Sequence, residues 1–152
     1  MLHIIKYLFS IIIFFFFTNA KSLESELSIS EESKVRLISP ITHNNNQFEI
    51  YLGLEYGLKK GWKTYWKSPG EGGFPQSINW ESSSNIKSLE ILWPTPLQFE
   101  ILGMQSIGYK DNIIFPLKIF INDLTKKTEA KLDINYLVCE DICIPGNVHL
   151  EI

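Results

Sequence analysis

The chain has only two cysteines, Cys139 and Cys143, and they lie four positions apart in the sequence LVCEDICIP. On a straight strand they would be about 13 Å apart, whereas a disulfide needs Cα atoms within about 7 Å. An alternating segment leads into Cys139, and Pro145 with a second alternating segment follows Cys143. The economical arrangement for a disulfide is therefore a hairpin with the three-residue loop 140–142 and the cysteines facing each other across its base.

Three uses of these thiols remain open from their spacing: a structural disulfide, disulfide exchange with another protein, and metal ligation. A disulfide that closes so small a loop stabilises by only about 2 kcal/mol, and it joins strands that are already connected. A metal site would need further ligands, for which His43 and His149 are ordinary candidates. The alternation around His149 predicts a side chain that faces solvent.

Two acidic residues, Glu140 and Asp141, separate the cysteines. Their negative charge disfavours a thiolate, so we expect the pKa of the thiols to stay at or above the ordinary value of about 8.5. A reduced pair at this position would be a slow nucleophile. Exchange would then require a partner that shields or activates the sulfur.

Length and composition favour one compact domain. The 152 residues are 45% hydrophobic, and the formal net charge is -3. The basic residues are scattered, their densest group being Lys59, Lys60, Lys63 and Lys67. This distribution does not predict nucleic-acid binding.

The N-terminus predicts export. Residues 1–20 combine Lys6, an apolar run over 7–17, and small residues at Thr18 and Ala20, which is typical of a secretory signal peptide cleaved after Ala20. The apolar run is shorter than the roughly 20 residues that span a bilayer. We therefore expect an exported mature chain that does not span the membrane and lies in an oxidising compartment where disulfides persist, with a leader and first strand over 21–47 and a β-sandwich domain over 48–152.

Alternating apolar residues predict strands with one buried face. Four long segments carry this pattern: Phe48, Ile50, Leu52, Leu54 and Tyr56; Ile113, Phe115, Leu117, Ile119 and Ile121; Leu132, Ile134, Tyr136 and Val138; and Val148, Leu150 and Ile152. Shorter candidates are 35–38, 62–66, 78–80 and 89–93, and turn-forming residues fill the intervals. About eight strands without a helical period predict an all-β fold, an immunoglobulin-like antiparallel β-sandwich.

The stretch GWKTYWKSPGEGGFP at 61–75 has two tryptophans, Trp62 and Trp66, followed by a Pro- and Gly-rich segment. The tryptophans could present an aromatic face to a sugar, but large aromatics near the rim of a sandwich usually pack in its core. The segment SPGEGG is typical of a turn.

Four stretches together resemble the periplasmic N-terminal domain of the DsbD and ScsB thiol-disulfide reductases. They are residues 61–75, WPTPLQFE at 93–100, IGYKDNIIFPLKI at 107–119, and YLVCEDICIPGNVHLEI at 136–152, the last being the most specific. The resemblance covers about 48–152. It implies an immunoglobulin-like domain that takes electrons from a thioredoxin-like donor domain, or from a DsbD/ScsB-type membrane reductase, and passes them to periplasmic acceptor proteins without a metal or organic cofactor.

The resemblance also implies roles for individual residues. Cys143 matches the attacking cysteine and Cys139 its resolving partner. An aromatic cap loop that shields the disulfide would correspond to 97–109, which makes Phe99 and Tyr109 shielding candidates, although both could be core aromatics. A binding or interaction module with a purely structural disulfide remains the alternative from another functional class.

Longer members of the family continue into a membrane-spanning electron conduit and a terminal thioredoxin-like domain, whereas the sequence ends at Ile152. This predicts either a free-standing carrier that a separate membrane protein reduces, or a truncated form of a longer reductase.

Overall fold

A computed structural model of the chain describes residues 23–43 and 45–152. The predicted signal peptide lies outside the described residues. These residues form twelve strands: β1 (Leu23–Glu24), β2 (Ser28–Ile29), β3 (Ser33–Ser39), β4 (Glu49–Leu58), β5 (Lys63–Gly70), β6 (Ser77–Asn79), β7 (Ile86–Ile91), β8 (Leu97–Ile101), β9 (Met104–Lys110), β10 (Asn112–Ile121), β11 (Lys131–Cys139) and β12 (Cys143–Glu151). The described part contains no helix long and apolar enough to cross a membrane.

Two antiparallel sheets pack face to face and confirm the predicted immunoglobulin-like sandwich. The first sheet has the order β1-β3-β4-β10-β7, with β2 also paired to β3. The second has the order β12-β11-β5-β9-β8, with β6 also paired to β11. Since β3 pairs with β4 along most of its length, the predicted boundary at residue 48 falls inside the first sheet.

Alternation along the strands builds the main core between the sheets. Most apolar residues of the long alternating segments are buried there, with Leu54, Tyr56, Phe115 and Leu132 at 0% exposure, and Ile50, Ile113 and Ile152 pack partly buried against them. The exception is Phe48, which precedes β4 and is 54% exposed, so the predicted face does not extend to it.

Aromatic rings connect the two sheets at the centre of the core. The ring of Tyr56 packs edge-to-face on Phe115 and on Tyr136, at centroid distances of 5.6 and 5.2 Å. The hydroxyl of Tyr136, from the second sheet, is 3.0 Å from Ser33 Oγ in the first. This buried hydrogen bond crosses the sandwich and fixes how β11 sits over β3.

Strands β8 and β9 occupy residues 97–110, where the resemblance had suggested a cap loop. They form a hairpin whose two-residue turn, Leu102 and Gly103, has positive φ angles of 53° and 77°. Such turns match the twist of the flanking strands. Leu97, Phe99 and Ile101 do alternate with polar residues, but Ser106 and Gly108 break the apolar period in β9.

Candidate functional site

The two cysteines lie at the tip of the β11–β12 hairpin. They are register partners, their Cα atoms are 4.1 Å apart, and their sulfurs form a disulfide. Residues 140–142 form the loop, which the Glu140 amide closes by donating to the Ile142 carbonyl at 3.0 Å. The predicted hairpin is therefore confirmed, and the two sulfurs are bonded to each other.

The two sulfurs differ in their access to solvent. Cys139 is 0% exposed, whereas Cys143, at the start of β12, is an exposed residue. Ile142, immediately before Cys143, is 62% exposed and projects from the hairpin tip. A protein that approaches this edge therefore meets Cys143 first.

A second apolar cluster on the outer face of the second sheet buries Cys139. Because side chains alternate along β11, Val138 joins the main core while Leu137 and Cys139 point to the opposite face. There they pack with Tyr65 and Ile101, and Phe99 packs partly buried against them. We call these five residues (Tyr65, Phe99, Ile101, Leu137 and Cys139) the outer cluster.

The separation of β5 from β11 brings a tyrosine to the disulfide. The two strands pair only at Lys63 and Cys139, after which the hydroxyl of Thr64 donates to the Leu137 carbonyl at 3.0 Å. The next residue, Tyr65, is 1% exposed, and its hydroxyl donates to Cys139 Sγ at 3.0 Å. Burial raises the pKa of Tyr65 above its ordinary value, so the hydroxyl keeps its proton.

Sequence reasoning missed Tyr65, although a signal for it exists. In the segment 62–66, alternation places Lys63 and Tyr65 on the face opposite to Trp62 and Trp66. An aromatic residue on the outward face of a strand, in the stretch that also carried the resemblance, indicates a second apolar layer there.

The tryptophans of the same stretch have a packing role. Trp62 is buried in the main core, and Trp66 packs partly buried against it. The ammonium group of Lys67 lies 5.2 Å from the centroid of the Trp66 ring. Both tryptophans thus contribute to packing, as predicted, and Trp62 at 8% exposure leaves no open ring face for a sugar.

The segment 70–75 covers the Tyr65 ring of the outer cluster. The Glu71 amide donates to the Gln105 carbonyl at 2.9 Å, and the Gln105 amide donates to the Glu71 carboxylate at 2.9 Å. These bonds hold the segment over β9 and bring Gly73, with a φ of 87°, against the Tyr65 ring. A Cβ at Gly73 would lie 2.2 Å from Tyr65 Cζ, so only glycine allows this approach.

The two shielding candidates lie on different faces of the second sheet. Phe99 belongs to the outer cluster, with its ring centroid 6.3 Å from that of Tyr65. Tyr109 lies in the main core, where its ring packs edge-to-face on Phe115 at 5.0 Å and its hydroxyl donates to the Pro94 carbonyl at 2.8 Å. Burial raises the pKa of Tyr109 to about 12. Only Phe99 is therefore placed near the disulfide.

Charges of both signs surround the hairpin tip. Lys63 is the register partner of Cys139, and its ammonium group donates to the Gly61 carbonyl at 2.8 Å and lies 5.9 Å from the Phe99 ring centroid. The Glu140 side chain lies against Gly61, where a Cβ would be 1.8 Å from the carboxylate. The acidic loop is thus accompanied by a cation, which the sequence had not placed at this position.

His149, a metal-ligand candidate, lies on the exposed face of β12, as alternation predicted. Its Nδ1 is 2.7 Å from Asp133 and its Nε2 is 2.9 Å from Glu151. Glu151 first and then Asp133 raise the pKa of the imidazole above its ordinary value. Both ring nitrogens are therefore occupied by carboxylates and remote from the cysteines along β12.

The chain is thus an immunoglobulin-like sandwich with a disulfide at an exposed hairpin edge. Residues 29–152 match the family described as thiol:disulfide interchange protein DsbD, N-terminal, and the chain belongs to this family. A search of curated proteins finds no match.

The solved structures that match the chain include two N-terminal domains. The N-terminal periplasmic domain of ScsB from Proteus mirabilis has 25% sequence identity and a TM-score of 0.73, with 87% of this chain and 51% of that chain covered. The reduced N-terminal domain of DsbD from Neisseria meningitidis has 11% identity and a TM-score of 0.41, with 85% and 82% covered. The chain thus spans about half the length of the ScsB structure.

Membership in the family assigns the general chemistry. The chain is a thiol-disulfide exchange domain, with thiol-disulfide oxidoreductase activity as the general function of the family. The similar N-terminal domain of ScsB from Proteus mirabilis is a periplasmic domain.

Proposed function

We propose that this domain is exported to the periplasm and relays reducing equivalents through Cys139 and Cys143. The donor is a thioredoxin-like domain or a membrane reductase of the DsbD/ScsB type, and the acceptors are periplasmic proteins with disulfides. The observation that carries the proposal is the asymmetry of the disulfide, in which Cys143 is exposed and Cys139 is buried.

Reduction of the domain begins at the exposed sulfur. A donor thiolate attacks Cys143 Sγ, a donor–Cys143 disulfide forms, and Cys139 leaves with the electron pair of the broken bond. The second thiol of the donor then attacks the donor sulfur of this mixed disulfide and releases Cys143 as a thiolate. The donor leaves oxidised, and the domain holds two reduced cysteines.

Delivery of the electrons runs through the same sulfur. Cys143 attacks an acceptor disulfide, and Cys139 attacks Cys143 Sγ in the resulting mixed disulfide, which releases the reduced acceptor and restores the original bond. Ile142 at the tip offers an apolar contact to each partner. Phe99 is the shielding residue of this proposal, because it covers the outer cluster beside Cys139.

A redox titration separates exchange from a purely structural disulfide. The purified domain is equilibrated with glutathione and dithiothreitol couples, and the oxidised fraction is measured by alkylation and mass spectrometry. An exchange disulfide should have a potential less negative than about -300 mV, whereas structural disulfides usually lie below this value.

Trapping identifies the partner. Cys139→Ser leaves the exposed thiol without its resolving cysteine, so mixed disulfides with donor or acceptor should accumulate in the periplasm. Cys143→Ser is the matched control, since it leaves only the buried thiol and should trap little. A reduction potential below about -300 mV, together with no trapped partner, would instead favour an interaction module with a structural disulfide.

A further inference from the structure

The hydroxyl of Tyr65 distinguishes the two sulfurs of the disulfide. It lies 3.0 Å from Cys139 Sγ and 4.0 Å from Cys143 Sγ, so its hydrogen bond goes to the buried sulfur. Tyr65 comes from β5, 74 positions before Cys139, and the contact therefore depends on the order of strands in the sheet.

The position of this hydroxyl is fixed from both sides of the ring. Phe99 and Ile101 of β8 pack around Tyr65, and the backbone of Gly73 rests against the ring itself. With 1% of its surface exposed, Tyr65 has little room to rotate. The Tyr65 hydroxyl, the hydrogen-bond donor, is thus already in place before the disulfide opens and needs no rearrangement during the reaction.

We propose that Tyr65 is a positioning residue that selects Cys139 as the leaving sulfur and stabilises it as a thiolate. When a thiolate attacks Cys143 Sγ, the S–S bond breaks and its electron pair moves to Cys139 Sγ, which accepts the Tyr65 O–H. The tyrosine keeps its proton throughout. This inference rests on the proposed exchange function and adds the direction in which the disulfide opens.

The stabilised thiolate is also the nucleophile of the closing step. Hydrogen bonds to a charged form favour that form, and those to ionised groups are the stronger ones. A Cys139 thiolate buried in an apolar cluster would otherwise be strongly disfavoured, because desolvation raises the pKa of a buried thiol. Tyr65 offsets part of this penalty at the sulfur that has to carry the charge.

The test compares Tyr65→Phe with Tyr109→Phe. Both substitutions remove one buried tyrosine hydroxyl and keep the ring, but Tyr109 donates to the Pro94 carbonyl in the main core. The chain has only two cysteines, so labelling cysteine with ¹³C at Cβ gives two signals whose pH titration in the reduced protein reports each thiol separately. Reduction of the oxidised protein by dithiothreitol is timed in parallel, and thermal unfolding verifies that both variants are folded.

In Tyr65→Phe the acid dissociation constant of Cys139 should fall about tenfold, as expected for the loss of one hydrogen bond to a charged group. Cys143 should change less, and reduction by dithiothreitol should slow about tenfold because the leaving thiolate is less stable. Tyr109→Phe should change neither quantity.

An unchanged Cys139 titration and an unchanged reduction rate in folded Tyr65→Phe would overturn the inference. So would a larger shift at Cys143 than at Cys139, because the hydrogen bond would then serve the other sulfur. If the wild-type disulfide has a reduction potential below about -300 mV and Cys139→Ser traps no partner, the proposed exchange function fails. If the domain is active but Tyr65→Phe has no effect, only the inference about Tyr65 fails.

Discussion

Reduction of the Cys139–Cys143 disulfide should lower the free energy of unfolding by only about 2 kcal/mol. The two residues are separated by 4 positions, and closing so short a loop removes little entropy from the unfolded chain. The hairpin is also held by its ladder, in which eight further residue pairs, from Lys131↔Glu151 to Val138↔Ile144, join β11 and β12. The domain should therefore stay folded in both redox states, as a carrier of electrons must.

The same figure predicts how folding shifts the reduction potential. If the oxidised form is more stable by about 2 kcal/mol, the disulfide in the folded domain is more reducing than in the unfolded chain by about 40 mV, since about 1.4 kcal/mol corresponds to 30 mV for a two-electron couple. The fold would then make the pair only modestly more reducing.

Urea unfolding measures this difference in the free energy of unfolding. It compares the oxidised protein, the protein kept reduced with dithiothreitol, and the double variant Cys139→Ala/Cys143→Ala. Reduced and double-variant proteins should unfold cooperatively at lower urea concentrations, with slopes close to that of the oxidised form. Loss of the cooperative transition on reduction, or a loss near 5 kcal/mol, would show that the disulfide holds the fold together and would refute the reasoning.

Three further outcomes follow from particular contacts. Tyr136→Phe should lower the free energy of unfolding by about 1 kcal/mol in urea titrations, because it removes the buried hydrogen bond to Ser33 Oγ; a change within error would mean that this bond contributes nothing. Phe99→Ala should accelerate reduction of the disulfide by dithiothreitol, because it opens the outer cluster beside Cys139, and an unaltered rate would remove Phe99 as a shield. His149 should titrate by NMR above its ordinary pKa of about 6.5, since Glu151 favours the imidazolium. Its contribution to stability should be fully present below pH 6.5 and lost as the pH rises through the folded pKa, a dependence that His149→Gln should abolish.

Strands and the hairpin follow from local features of the sequence. Alternation with a period of two predicted β4, β10, β11 and β12, because a half-buried strand must place apolar residues at every second position. The cysteine hairpin was predictable for the same reason, since its geometry depends only on five consecutive residues and their flanks. The β8–β9 hairpin was not recognised, because two buried positions of β9 break the apolar alternation: Ser106 has a polar side chain, and Gly108 has no side chain.

The chemistry of the site depends instead on contacts between distant parts of the chain. The residues next to the cysteines do not show which of the two is buried; the outer cluster buries Cys139, while Cys143 stays exposed. Tyr65 reaches Cys139 because β5 lies beside β11 and separates from it after a single pair. The alternation along β5 does not predict that β11 is its neighbour. Alternation specifies which side of a strand a residue occupies, whereas the order of strands in the sheet specifies what it meets there.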